Sequence, residues 1–271
     1  MQFLRKFSTQ AKETRWNRWR IIFDMLEDRH VVPISELIQA TGEKASTIER
    51  DIETLSSRRL VRKTVKGGLT PENYHGEKPH EERTGQYQEA KSSLARMAAA
   101  KYVTDGMILF ADGSTTVQAI APFLSDRSVT VITNGLSLIA DLRSHQFPGD
   151  IICTGGQYRA RSNTVVGRHA QETLSHCHAD LAIIGVEGIS SQLELMEAHP
   201  AEALIKQTYL ERADKSLVLA LPHKFNEDAL LSFAHLRQVT ALISSSFTDT
   251  PFLEAARQTS VRLECPAGAQ S

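Results

Sequence analysis

At 271 residues, 41% of them hydrophobic, the chain is long enough to bury one small and one medium core. No apolar run approaches membrane-spanning length and residues 1–14 lack the apolar centre of a secretory leader, so a cytoplasmic protein is expected. The net charge of −1 hides a division: residues 1–70 carry 14 Lys and Arg against 9 Asp and Glu, a net of +5, and the remainder carries −6, so only the front of the chain is suited to a polyanion.

Residues 1–14 read as a tail. From Arg15 to Asp28, Trp19, Ile22, Phe23 and Leu26 recur at helical spacing beside Arg15, Arg18 and Arg20, which predicts an amphipathic helix with Trp16 and Trp19 on its core side. Pro33–Ala40 predicts a short second helix stopped by Thr41-Gly42, and Ala45–Ser57 a third with Ile48, Ile52 and Leu55 buried. Two short helices joined by a glycine turn after a longer first one form a helix-turn-helix pattern. Residues 58–69, where basic and apolar residues alternate into Gly67-Gly68, predict the wing of a winged helix.

In that reading the third helix enters the major groove of double-stranded DNA and presents Lys44, Ser46, Thr47, Glu49 and Arg50 near its start. Arg50, Arg58, Arg59, Arg62, Lys63 and Lys66 contact phosphates, supplying salt-dependent affinity rather than sequence choice. Glu49 either accepts from a cytosine amine or weakens contact with the backbone. The competing reading is a small helical docking module with a solvated basic face.

Residues 71–88 are polar, contain Pro and Gly, and read as a linker. From residue 89 to 264 helices and strands alternate. Helices are expected at Ala90–Val103, after the Asp112–Thr116 turn through Leu124, and at Leu136–Arg143, His169–His176, Ala201–Ala213 and Pro251–Arg257. Strands are expected at Met107–Ala111, Val129–Thr133, Ile151–Thr154, Leu181–Val186, Leu217–Leu221, Val239–Ser244 and Val261–Glu264, leaving 265–271 as a tail. This alternation with short connections predicts an α/β domain with a mostly parallel sheet.

Ligands of such sheets sit beyond the carboxyl ends of the strands. The residues there are Asp112, Gly113, Ser114, Thr115 and Thr116; Thr133 and Asn134; Gly155 and Gly156; Glu187; and, beyond the turn after Leu221, Lys224. The Asp112–Thr116 turn suits an anion, because unpaired N–H groups at a helix start and three successive hydroxyls point the same way, and Asp112 could accept from sugar hydroxyls. The plain alternative is an N-cap by Ser114 or Thr115, and turn chemistry alone accounts for Gly155-Gly156. Taken together, the rim suits a small polyhydroxy phosphate.

His176-Cys177-His178 has no further ligand cluster near it and reads as a surface group; no metal and no cofactor is expected. Cys153, Cys177 and Cys265 are odd in number and widely spaced, hence reduced thiols, with Cys153 in a strand.

Thr47-Ile48-Glu49-Arg50-Asp51-Ile52 in the third helix, DGSTT at Asp112–Thr116, Thr133-Asn134, Gly155-Gly156, TVVG at Thr164–Gly167 and the run Ile184–Ile189 occur in an order that resembles the DeoR family of bacterial transcription regulators over residues 15–262. The resemblance implies an oligomeric repressor of a carbohydrate-metabolism operon. It further implies a C-terminal domain similar to ribose-phosphate isomerases and coenzyme A transferases, holding a phosphorylated sugar or related effector at Asp112, Ser114, Thr115, Thr116 and Lys224. Lys44, Glu49, Arg59, Lys66 and Leu221 depart from the family's usual residues. The alternative is an isomerase-like or transferase-like enzyme fused to a DNA-binding domain. It lacks a carboxylate pair in the loop around Glu187, so no catalytic residue is expected.

Overall fold

The computed structural model describes residues 15–23, 25, 26, 29, 31–57, 60–65, 67–71 and 78–266. The chain divides into two compact units, Met1–Gly76 with Ala198–Ala201, and Glu77–Glu197 with Glu202–Ser271.

In the first unit, helix α1 (15–23) precedes β1 (Val32–Pro33), α2 (Ile34–Thr41), α3 (Ala45–Ser57), β2 (Val61–Lys63) and β3 (Gly68–Pro71). Gly42 ends α2 in the left-handed region (φ 67°) and donates to the carbonyls of Ile38 and Gln39, which is the glycine stop the sequence indicates. The three strands form an antiparallel sheet in the order β1-β3-β2, with Leu69 opposite both Val32 and Lys63. Ile48, Ile52 and Leu55 of α3 are buried, as are Val32, Val61 and Leu69 of the sheet and Trp16 and Trp19 of α1. Arg18 grips the buried Asp51 with two bonds, Nε to Oδ2 at 2.6 Å and Nη2 to Oδ1 at 3.2 Å, tying α1 to α3. A bidentate pair of this kind fixes orientation as well as charge. Part of the basic surplus in this unit is therefore used internally.

The second unit runs α4 (His80–Thr84), α5 (Gln88–Tyr102), β4 (Ile108–Ala111), α6 (Thr115–Gln118), β5 (Thr130–Thr133), α7 (Leu136–Ser144), β6 (Ile151–Cys153), β7 (Gln157–Arg159), β8 (Thr164–Val166), α8 (Arg168–Ser175), β9 (Ala179–Gly185), β10 (Gly188–Ile189), β11 (Glu194–Glu197), α9 (Pro200–Glu211), β12 (Ala213–Leu219), β13 (Leu231–His235), β14 (Ala241–Ile243), α10 (Thr250–Arg257) and β15 (Arg262–Glu264). Its centre is a seven-stranded sheet, β15-β14-β12-β9-β4-β5-β6, in which every pairing is parallel. Side chains alternate across it. Leu109, Val131, Leu181, Ile183, Leu217, Leu219 and Ile243 face one core, with Leu94, Ala95 and Ala98 of α5 and Leu138 and Leu142 of α7. On the other parity Phe110 stacks on the fully buried Tyr209 of α9 at 4.9 Å.

Three features differ from expectation. The helix expected to run from Asp112–Thr116 through Leu124 breaks after one turn: α6 ends at Gln118 and Ala121–Leu124 is a 3-10 turn. Pro122 is the reason, since it lacks the N–H that would bond to Gln118 and its ring crowds that carbonyl. The stretch 71–88, read as linker, contains α4, with His80 buried. A hairpin (β7, β8) and a small antiparallel sheet, β10-β11-β13, were not anticipated. Their strands span two to five residues, and β13 returns to β11 from more than thirty residues away.

Candidate ligand site at the carboxyl ends of the sheet

The turn after β4 is held from below. Asp112 is 1% exposed; its Oδ1 accepts from the N–H of Ser114 and its Oδ2 from the N–H of Gly185, each at 3.0 Å, and Lys206 of α9 stands 3.4 Å away. Lys206 also donates to Glu197 and, at 2.9 Å, to the carbonyl of Gly185. Burial works against the Lys206 ammonium, but Glu197 and then Asp112 outweigh it and raise its pKa. Burial pushes the Asp112 carboxyl up, with Lys206 and the N–H donors pulling the other way. Asp112 is thus a brace that fixes the ends of β4 and β9. Its oxygens are committed to the protein, not turned to a sugar hydroxyl as the sequence suggested. Ser114 N-caps α6, accepting from Val117 N at 3.3 Å, so the plain reading of that hydroxyl holds.

A second group forms beside it. Lys91 of α5, 6% exposed, donates to Thr115 Oγ1 at 2.9 Å and to the backbone carbonyl of Arg83. Both acceptors are neutral. Burial first, then the charges of Arg83 and Lys224, bring its pKa down to about 8. Lys224 lies on the same rim and pairs with Glu187 at 3.0 Å. His223, whose pKa burial and then Lys224 depress, stacks on the exposed ring of Tyr87 at 4.8 Å. A buried ammonium bonded only to neutral oxygens, next to a second cation and a hydroxyl, is an arrangement that an incoming anion relieves.

A third group closes the site over β5. Asn134 exchanges bonds with Tyr209, its N–H donating at 3.1 Å and its Oδ1 accepting at 3.3 Å; Thr133 Oγ1 accepts from Gly135 N at 3.0 Å. Glu202 accepts from Ser162 Oγ at 2.7 Å and Thr164 Oγ1 at 2.5 Å, which seats the β7–β8 hairpin over the strand ends. The seat is close: a Cβ on Gly113 would stand 2.3 Å from Thr164 Cγ2, so only glycine fits there.

Of the residues read from sequence, Asp112, Gly113, Ser114, Thr115, Thr133 and Asn134 come together, and Glu187 with Lys224 joins them at the rim. Thr116 is half-buried on the first turn of α6. Gly155 and Gly156 are exposed and have φ of 68° and 120°, forming the turn from β6 into β7, where a Cβ on Gly156 would meet Val166 O at 2.4 Å. In the first unit Lys44, Ser46, Glu49 and Arg50 are exposed on the start of α3 with Thr47 half-buried, and Arg62 and Lys63 are exposed on β2. Arg58, Arg59 and Lys66 lie outside the described residues, as do the tails 1–14 and 267–271 and residues 72–77. His178 bonds to Asp214 at 2.9 Å, and no metal-holding group of His, Cys, Asp or Glu occurs among the described residues. No helix among them is long and apolar enough to cross a membrane.

Lys91, Lys206, Glu202 and Tyr209 were not singled out from sequence, although a signal existed. Lys91 shares a helical face with Leu94, Ala95 and Ala98, and Glu202, Lys206 and Tyr209 follow one another at i+4 and i+3. A charge on an apolar stripe marks a buried partner or a ligand.

Residues 86–246 match the family model of the DeoR C-terminal sensor domain. The chain belongs to the DeoR family and is a transcriptional regulator, not an enzyme. It is 27% identical over 242 residues to the HTH-type transcriptional repressor GlcR of Bacillus subtilis, covering 89% of this chain and 93% of that one. It is 26% identical over 231 residues to the glycerol-3-phosphate regulon repressor of Escherichia coli, covering 85% and 89%. Among solved structures it is similar to the full-length sorbitol operon regulator SorC of Klebsiella pneumoniae, with a TM-score of 0.41 and 11% identity over 83% of this chain and 94% of that one.

Proposed function

We propose that this protein is a cytoplasmic, homo-oligomeric repressor of a carbohydrate-metabolism operon, in which a winged helix-turn-helix over 15–70 binds double-stranded operator DNA and the α/β domain senses a phosphorylated sugar or related metabolite. The observation that carries the effector reading is the buried Lys91 ammonium, bonded to Thr115 and the Arg83 carbonyl with Lys224 close by. A phosphate dianion at the β4 turn would accept from Lys91, Lys224 and the Thr115 hydroxyl as charge-assisted bonds, roughly twice as strong as neutral ones. Asp112 and Asn134 would shape the floor, and the hydroxyl-rich hairpin its roof.

The DNA reading rests on the order of helices α1 to α3 followed by an antiparallel ribbon, and on the polar exposed start of α3. Arg58, Arg59, Arg62, Lys63 and Lys66 would supply phosphate contacts around it. The repressor names of the relatives agree with this reading.

The test is binding to the DNA upstream of its own gene at fixed salt, titrated with sugar phosphates and their unphosphorylated counterparts. The expected result is a shift in operator affinity with a phosphorylated compound only; indifference to the whole panel overturns the effector reading. By linkage, that compound must bind the DNA-bound and free protein with different affinity. Arg50→Ala should weaken DNA binding and lower the salt slope by about 1 while leaving effector affinity unchanged.

A further inference from the structure

Lys91 touches more than the ligand turn. The carbonyl it holds is that of Arg83, in α4, and α4 is the first element of the sensor unit along the chain that arrives from the DNA-binding unit. The rest of α4 is fastened to the same place. His80 Nε2 bonds to Gln118 Oε1 at 2.9 Å, Gln118 lies one turn beyond Thr115 in α6, and Gln118 Nε2 in turn donates to Asp141 Oδ2 at 2.7 Å. The His80 N–H donates to the carbonyl of Arg161 at 2.8 Å, at the tip of the β7–β8 hairpin that roofs the strand ends. One short helix is thus pinned to the floor and the roof of the ligand site, and one of its pins is a buried, uncompensated cation.

We propose that Lys91 is a ligand-operated latch for α4: an anion bound at the β4 turn secures the Lys91 ammonium in its bridge between Thr115 and the Arg83 carbonyl, and so clamps the chain that leads to the DNA-binding unit. This rests on the phosphate reading of the same site. An ammonium has three donors, and two are in use, so the third can serve the anion without releasing either end of the bridge. Without the anion, the bridge keeps a desolvated charge among other cations, and its two neutral acceptors only partly offset that cost. With the anion present the charge is matched in a low-dielectric setting, and every geometry that breaks the bridge loses that pairing. Occupancy at the turn is thereby expressed as order in α4, with no change of fold. Local order of this kind is a currency in which two sites can be coupled.

The experiment is amide hydrogen exchange on the full-length protein, with and without saturating inorganic phosphate, in the wild type and in Lys91→Met, alongside a thermal-shift titration with phosphate. In the wild type, phosphate should raise the melting temperature and slow exchange in His80–Thr84 by about tenfold or more, while the central strand Ala179–Gly185 stays unchanged. Lys91→Met should exchange faster in His80–Thr84 even without phosphate, again with Ala179–Gly185 unchanged, and phosphate should no longer slow it. Thr115→Val keeps the Arg83 end of the bridge. Its unliganded α4 should therefore exchange at the wild-type rate, which separates release of the latch from general destabilisation. A phosphate-induced thermal shift with no slowing in α4 overturns the latch and leaves the ligand reading standing. Equal exchange of α4 in unliganded Lys91→Met and wild type also overturns the latch. Absence of any thermal shift overturns the phosphate reading, and the coupling with it, whether or not Lys91→Met loosens α4.

Discussion

Lys206 and Lys91 are both about 6% exposed, both reach the turn after β4, and they live in opposite electrostatic surroundings. Lys206 sits between Asp112 and Glu197, so its charge is matched and its proton is held more firmly than in water. Lys91 has the Arg83 carbonyl and the Thr115 hydroxyl as partners, burial and the charges of Arg83 and Lys224 act against it, and its proton is held less firmly. The first arrangement is complete in itself and holds two strand ends together. The second is incomplete, and what completes it is an anion. Burial alone therefore does not tell a structural lysine from a ligand-binding one; the sign of the charges facing it does.

The largest expected effect belongs to the complete pair. Lys206→Met leaves Asp112 and Glu197 buried without their cation and should cost about 3–5 kcal/mol, read as a lowered denaturant midpoint at unchanged slope. A loss below about 1 kcal/mol would erase the contrast between the two lysines. Lys91→Met should act with the opposite sign on global unfolding, stabilising the unliganded protein by about 1–2 kcal/mol because a desolvated cation is removed from α5, even though α4 alone opens more readily without its bridge, while abolishing effector response. Destabilisation by Lys91→Met would mean that its neutral bonds outweigh its desolvation.

Next comes pH. With a folded pKa of about 8 against 10.5 unperturbed, Lys91 binds fewer protons in the folded than in the unfolded state between those values. Its contribution to stability should therefore rise from pH 8 towards 10.5 and be flat, and unfavourable, below 8. The groups facing it are Arg83, Lys224 with its partner Glu187, and His80 and His223, whose pKa values, depressed by burial and by neighbouring cations, place their titration below that window. Phosphate affinity should move the other way, falling by up to about tenfold per unit as pH rises above 8, and titrations at pH 7, 8 and 9 read this directly. The smallest effect is that of Thr115→Val, which removes one hydroxyl. Binding should weaken about fivefold, in line with roughly 1 kcal/mol for a single hydrogen bond, and stability should fall by about 1 kcal/mol because the buried Lys91 ammonium loses one of its two acceptors.

Most of the sheet was legible because a parallel strand buried on both faces is a short apolar run, and Ile108–Ala111 and Thr130–Thr133 announce themselves that way; of Ala213–Leu219 only the apolar end from Leu217 does, since Asp214, Lys215 and Ser216 hide its start, which reads as helix and turn. The α3 helix was readable to the residue for a related reason: Ile48, Ile52 and Leu55 mark one face, and polar residues fill the rest. The hairpin β7–β8 and the sheet β10-β11-β13 escaped because strands this short carry too few alternations to set a period, and their pairing is decided by partners distant in the chain. Helix α4 escaped because its burial comes from the tertiary bonds of His80 and not from any apolar stripe.

The sequence by itself determined the order of elements, the division of charge between the two halves and the placement of hydroxyls and glycines at strand ends, because periodicity and turn chemistry are local. Only the tertiary structure decided what each polar group does there. Asp112 looked like a ligand and is a brace; Lys91 looked like one more helix lysine and is a buried cation at the turn bonded to neutral acceptors. The reason is that a carboxylate or an ammonium takes its role from the charges within a few ångströms of it. For Asp112 the deciding charge is Lys206, ninety-four positions along the chain; for Lys91 it is the like charges of Arg83 and Lys224, with only the neutral Thr115 hydroxyl and the Arg83 carbonyl as partners.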